Sequence, residues 1–187
     1  RIEGGTFTRL LRRAVPIFRD ALEPRGGVDV TVENVRLPLA GKPLTKLSAR
    51  AQVQLSDASV SSSGTMRSLL RMAGLEDQRL ELPNQDISVR VQDGVVHHDR
   101  MNIKVGNQTL EVSSSVGLDK SLDMKVELPV TRDMVGSDAV YAVVRGRRLT
   151  ARIKGTLDNP KLQRDILEEN LKSLMPGSPL DLFRQNR

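Results

Sequence analysis

Residues 85–128 read QDISVRVQDGVVHHDRMNIKVGNQTLEVSSSVGLDKSLDMKVEL, and this stretch decides the fold. Apolar and polar side chains alternate along it with a period of two, which is typical of strands that have one apolar and one wet face. Turn signals interrupt the alternation at Asp93-Gly94, Gly106-Asn107 and Asp119-Lys120-Ser121, and Asp-Gly is a strong signal for a two-residue hairpin. The stretch therefore predicts an antiparallel meander.

The apolar side chains of these strands are expected to form one continuous aliphatic surface. Neighbouring antiparallel strands align the residues of the same side, so the surface runs across every strand of the meander. It is either the closed core of the domain or an open apolar groove. Its residues are Ile87, Val89, Val91, Met101, Ile103, Val105, Leu110, Val112, Leu122, Met124 and Val126.

The same alternation appears on both sides of the central stretch, over residues 28–33, 47–55 and 149–157. Helical spacing of apolar residues and capping signals place short helices between and around these strands. The predicted helices cover residues 6–23, stopped by Pro24-Arg25-Gly26-Gly27, residues 65–74, residues 137–146, and a last helix that opens at Asp158-Asn159-Pro160 and ends at Pro176-Gly177. A loop is predicted over residues 37–43.

These elements predict an α+β fold, with a curved, mainly antiparallel sheet and three to four short helices in one domain over residues 1–187. Because the chain begins without methionine, we expect a fragment of a longer protein. The predicted parts are an N-terminal helix (1–27), a sheet with inserted helices (28–157), a C-terminal helix (158–176) and a tail (177–187).

Composition removes several classes of function. The chain has no cysteine, which excludes disulfides, thiol catalysis and cysteine-containing zinc sites. Its two histidines, His97 and His98, are neighbours, and neighbours in a strand point to opposite faces, so a structural or solvated role is favoured over a shared metal. No nucleophile elbow, phosphate loop or metalloprotease motif is present. We therefore expect no enzyme, no cofactor and no metal site.

The chain carries a net charge of +6, and one basic stretch contains no acid. A solvated edge strand protected by charge from aggregation explains such a stretch first, and a patch for anionic lipid headgroups explains it second. Nucleic acid is disfavoured because aromatic residues make up only 2% of the chain, which leaves no stacking platform. The stretch consists of Arg145, Arg147, Arg148, Arg152 and Lys154.

The order of features over residues 66–174 resembles the C-terminal region of the AsmA-like family, which is related to the TamB and YhdP envelope proteins. The segments that carry the resemblance include LRMAGL at 70–75, ISVRV at 87–91, MNIKV at 101–105, VGLD at 116–119 and IKGTLDNPKL at 153–162. The resemblance implies a bacterial cell-envelope protein on the periplasmic side, anchored by a segment absent from this sequence. It also implies a long curved sheet that holds lipid in an apolar groove, with no catalytic residues.

The expected function is a non-enzymatic envelope module that contributes to outer-membrane and lipid homeostasis and holds acyl chains on the apolar sheet face. Expected partners are phospholipid or an anionic membrane surface, and other envelope proteins, but not nucleic acid. The alternative is a structural or protein-interaction module with a closed aliphatic core and no ligand. The exposed apolar area of the sheet face discriminates between the two.

Overall fold

The computed structural model describes residues 22–36, 46–61, 64–75 and 79–174. Within them, nine strands form one sheet and four helices accompany it. The strands are β1 (Leu22–Arg36), β2 (Ser48–Ser61), β3 (Arg79–Leu82), β4 (Gln85–Gln92), β5 (Val95–Val105), β6 (Gln108–Gly117), β7 (Ser121–Pro129), β8 (Arg148–Thr156) and β9 (Asn159–Leu162). The helices are α1 (Gly64–Met72), α2 (Arg132–Val135), α3 (Asp138–Val144) and α4 (Arg164–Leu174). The predicted fold class, a mainly antiparallel sheet with short helices, is confirmed.

The sheet is a meander in which all paired strands run antiparallel to each other. Strands β3 and β4 share one position, because β3 pairs with the end of β2, β4 pairs with its start, and both pair with β5. The hairpin predicted at Asp93-Gly94 is present, and both residues have positive φ, 51° and 74°. Two consecutive left-handed residues are typical of the type I′ turn, whose twist matches that of the flanking strands.

A side chain completes the ladder between β4 and β5. The amide of Gln85 accepts a hydrogen bond from the backbone N–H of Asn102 and donates one to its carbonyl oxygen, both at 2.8 Å. The sequence analysis did not predict β3, because four residues before a proline carry too short an alternation to stand out.

The structure corrects the predicted start of the sheet. Residues 6–21 of the first predicted helix and the loop at 37–43 lie outside the described residues, but Leu22 already belongs to β1. Residues Pro24–Gly27, which were predicted to end the first helix, instead form an irregular part of this strand, with shifts in register against β2. Gly26 explains the difference: its φ is 106°, and a Cβ there would lie 2.4 Å from the Cα of Ala58.

The structure also corrects the start of the C-terminal helix. Asn159 and Pro160 belong to β9, which forms a hairpin with β8, and the helix starts at Arg164 instead. Proline lacks an N–H donor and is tolerated on an edge strand, where no further strand needs that donor. β9 is the edge strand next to β8 in the described sheet. An Asx-Pro pair in a sequence is therefore equally compatible with the start of a helix and with an edge strand that follows a turn.

The connections place α1, α2 and α3 at one end of the sheet. α1 joins β2 to β3, and α2 with α3 joins β7 to β8, so both connections lie at the same end, called here the helical end. The turns after β4, β6 and β8 lie at the opposite end, called here the turn end. The core lies on the apolar face of the sheet, where Met66, Leu69 and Leu70 of α1 and Val144 of α3 are fully or almost fully buried.

Candidate functional site

The predicted aliphatic surface is mostly a closed core. Its eleven residues share one face by register, as shown by Ile103 opposite Leu110 and by Val112 opposite both Met101 and Val126. Ten of the eleven are buried, and Val91 is half-buried. Over most of its length this face is therefore inaccessible to a ligand.

The helices close the face at the helical end. Buried side chains of α1 belong to the same core cluster as the strand residues, and Val135 and Val140 of the α2–α3 segment pack against it. The Thr131 hydroxyl donates a 2.8 Å hydrogen bond to the carbonyl oxygen of Ala73 and so ties the end of α1 to the start of α2. This bond connects α1 and α2, the two segments that cover the apolar face here.

At the turn end the same face is incompletely covered. Val32 and Leu118 follow the inward alternation of β1 and β6, yet 58% and 50% of these residues is exposed. Val91, Val96 and Leu157 are half-buried on the same face. These five residues are called here the open end, and two of them, Val96 and Leu157, pack against the core.

The basic stretch is not a free cationic patch. The Arg152 guanidinium forms a two-pronged ion pair with Asp123, with Nε 2.9 Å from Oδ1 and Nη2 2.7 Å from Oδ2. This hydrogen-bonded pair holds the pKa of Asp123 below its ordinary value and raises that of Arg152. Lys154 adds a longer contact of 3.9 Å to the same carboxylate.

Arg148 also contacts acidic side chains, one on β6 and one on β7. Its Nη2 lies 3.3 Å from Oε1 of Glu111, and its Nε lies 3.8 Å from Oε2 of Glu127. Arg145 and Arg147 lie apart from this strand, in the connection from α3 to β8. The five cations therefore do not act together, because acids distant in sequence compensate three of them.

The two histidines point to opposite faces, as expected from their strand position. His98 lies on the apolar face, 3% exposed, opposite Ser114. Its Nδ1 donates to the carbonyl oxygen of Asp99 at 2.8 Å, while among the described residues its Nε2 and the Ser114 hydroxyl have no hydrogen-bond partner. Burial of the ring lowers the pKa of His98 from its ordinary value of 6.5. Within the described part of the chain, the core thus contains two polar atoms without hydrogen-bond partners.

His97 lies on the polar face, where its Nδ1 is 2.8 Å from the Ser115 hydroxyl. A serine bonded to an imidazole is the first element of a nucleophile–base pair, which also needs a group that orients the ring. Asp123 is the register partner of Ser115, but Arg152 engages its carboxylate. No carboxylate in the described residues bonds to His97, so the pair carries no argument for catalysis.

Helix α4 borders the polar face. The Asn170 side chain donates a 3.0 Å hydrogen bond to the carbonyl oxygen of Thr150 in β8. Between α4 and the strands lies an open depression of about 510 Å³, lined by residues that include Arg90, His97 and Ile166. A second depression of about 360 Å³ also contacts Arg90. The sequence analysis did not single out Arg90, whose polar strand position is its only signal.

The described part of the chain contains no group of three or more acidic, histidine or cysteine side chains suited to hold a metal ion. No helix there is long and apolar enough to cross a membrane.

No family model, no curated protein and no solved structure matches this chain. The resemblance to the AsmA-like family accordingly rests on the ordered sequence features over residues 66–174 and stays a prediction.

Proposed function

We propose that this chain is a non-enzymatic module of the bacterial cell envelope that contributes to lipid homeostasis and contacts acyl chains at its open end. One observation carries the proposal: a single aliphatic surface is closed at Ile103, 0% exposed, and open at Leu118, 50% exposed. The ordered sequence features that resemble the AsmA-like family support the envelope setting. The proposal replaces a groove along the whole sheet face with a contact at one end.

The chemistry of the open end suits an acyl chain. Its side chains are all valine or leucine, so they form no hydrogen bonds with a ligand and are stabilised by any aliphatic group that covers them. Covering apolar surface gains about 25 cal/mol per Å², or about 0.8 kcal/mol for each buried methylene group. A ligand that covers Val32 and Leu118 also continues the packing of the core, because both residues follow its alternation.

Native mass spectrometry of the protein purified from membranes in mild detergent tests the proposal. We expect co-purified phospholipid in the wild type and a several-fold weaker lipid signal in Leu118→Glu. Val143→Glu is the matched control, since Val143 is 53% exposed on α3 at the helical end. A lipid signal that is equal in the two variants would contradict the role of the open end.

A second function, a structural or protein-interaction module without ligand, is favoured by the burial of ten of the eleven surface residues. Its docking surface would be β1, a 15-residue strand that pairs only with β2 among the described strands. An edge strand presents a row of N–H and C=O groups that can pair with a strand of a partner protein. A wild-type protein that purifies without lipid would favour this function over the first.

A further inference from the structure

Three arginines meet on the polar face at the turn end. Arg50 of β2 and Arg90 of β4 are direct partners in the register of the two strands. Arg36 is the partner of Ser48, which precedes Arg50 on the same face of β2. All three arginines are exposed, and together they line the depression of about 360 Å³.

No acid among the described residues compensates this cluster. Within the described residues, none of the three guanidinium groups makes a hydrogen bond or an ion pair, and the other residues that line the depression are uncharged. Glu33 is the register partner of Arg50 but forms no ion pair with it. Like charges directly opposite each other destabilise a sheet, so the stability of the fold does not explain the arrangement.

The cations of β8 make the contrast clear. Arg148 and Arg152 each contact a carboxylate of the neighbouring strand β7, whereas Arg36, Arg50 and Arg90 face a shallow cavity. Guanidinium groups present their donors in a rigid fork that matches the oxygens of a phosphate, and bonds between two ionised groups are the stronger ones. A concave surface lined by one sign of charge also concentrates ions of the opposite sign.

We propose that Arg36, Arg50 and Arg90 form a binding site for a phosphate group, carried either by a lipid headgroup or by free phosphate. The cations sit on three strands joined by backbone hydrogen bonds, so their backbone positions are fixed before the anion arrives. Ser48 and Gln92 line the same depression and carry further donors. This inference does not rest on the proposed contact with acyl chains, because the three arginines lie on the polar face of the sheet.

The test compares two double variants of the 187-residue chain that remove the same charge. Arg50→Gln/Arg90→Gln alters the proposed site, and Arg145→Gln/Arg147→Gln alters the basic stretch singled out from the sequence. The probes are inorganic phosphate, followed by the shift of the melting temperature against chloride at equal ionic strength, and sedimentation with vesicles. One vesicle set contains phosphatidylcholine alone, and the other adds about a third of phosphatidylglycerol.

We expect the Arg50/Arg90 variant to lose at least fivefold in affinity for the probe that binds, while the Arg145/Arg147 variant keeps the wild-type affinity. Binding to phosphatidylglycerol vesicles that phosphate does not displace supports the site and identifies a headgroup as its ligand. A phosphate-specific rise in melting temperature, lost in the Arg50/Arg90 variant, supports the site with free phosphate as its ligand. Equal losses in both variants, or no binding of either probe, would overturn the inference.

Discussion

Replacing His98 by leucine should stabilise the protein, against the usual effect of a change in the core. The ring is 3% exposed, and its Nε2 has no partner among the described residues. A buried polar atom without a partner costs about 1–3 kcal/mol, and the lost hydrogen bond from Nδ1 to Asp99 is worth about 1 kcal/mol. Asp99 is exposed, so water can bind its carbonyl oxygen in the variant. The net gain at pH 7 is up to about 2 kcal/mol, or up to about 8 °C in melting temperature.

The pH dependence gives the prediction a second readout. The pKa of His98 is lowered from 6.5 in the folded protein by burial, so on acidification the unfolded chain takes up the proton first. The wild type therefore loses stability as the pH falls below about 6.5, by up to about 1.4 kcal/mol per pH unit, until the folded pKa is reached. His98→Leu removes this contribution, so its advantage over the wild type should grow between pH 7 and pH 5.

Urea unfolding at pH 7 and pH 5, followed by circular dichroism, measures both effects. His97→Leu is the control, since it removes the neighbouring imidazole from the polar face and should give no comparable gain at pH 7. A His98→Leu protein that is less stable than the wild type at pH 7, with an unchanged difference at pH 5, would refute the reasoning. The Nε2 atom would then have a partner in solution.

Three further changes test the fold. Ile103→Asp places an unpaired charge in the closed core, costs several kcal/mol and should unfold the protein, whereas Leu118→Asp should leave it folded; a folded Ile103→Asp protein would contradict the burial of Ile103, which is 0% exposed. Gly26→Ala should lower the free energy of unfolding by about 1–3 kcal/mol, because its φ of 106° is strained for alanine and its Cβ would lie 2.4 Å from the Cα of Ala58. Gly136→Ala is the control, since a Cβ there has nothing within 4 Å, and it should lose less stability in thermal unfolding. Arg152→Gln removes the main cause of the lowered pKa of Asp123, so that pKa should rise toward its ordinary value in a carboxyl NMR titration, while the free energy of unfolding falls by less than about 1 kcal/mol because the pair is exposed.

The central meander was readable from the sequence because each of its strands has one apolar and one polar face. Asp93-Gly94 predicted the position of the hairpin turn between β4 and β5, and the alternation placed Ile103 on the apolar face. Whether that face is open could not be predicted, because coverage depends on how α1 packs across the sheet.

The errors have local physical causes. Gly26 belongs to the stretch that predicts the end of the first helix, but its positive φ and close approach to Ala58 occur in an irregular strand. Pro160 was interpreted as a helix start, although an edge strand accepts proline equally well. The ion pair of Arg152 with Asp123 and the position of Arg90 opposite Arg50 both depend on strand register. Register brings together residues that are far apart in the sequence.

The contrast between the closed and open parts of one aliphatic face is the central claim, and methyl NMR with a spin-labelled phospholipid tests it directly. The label, on an acyl chain, broadens the signals of methyl groups that the chain approaches. The account predicts strong broadening at Leu118 and Val32 and none at Ile103 and Leu110, which are 0% exposed. Uniform broadening of all four residues, or none at Leu118 and Val32, would contradict it.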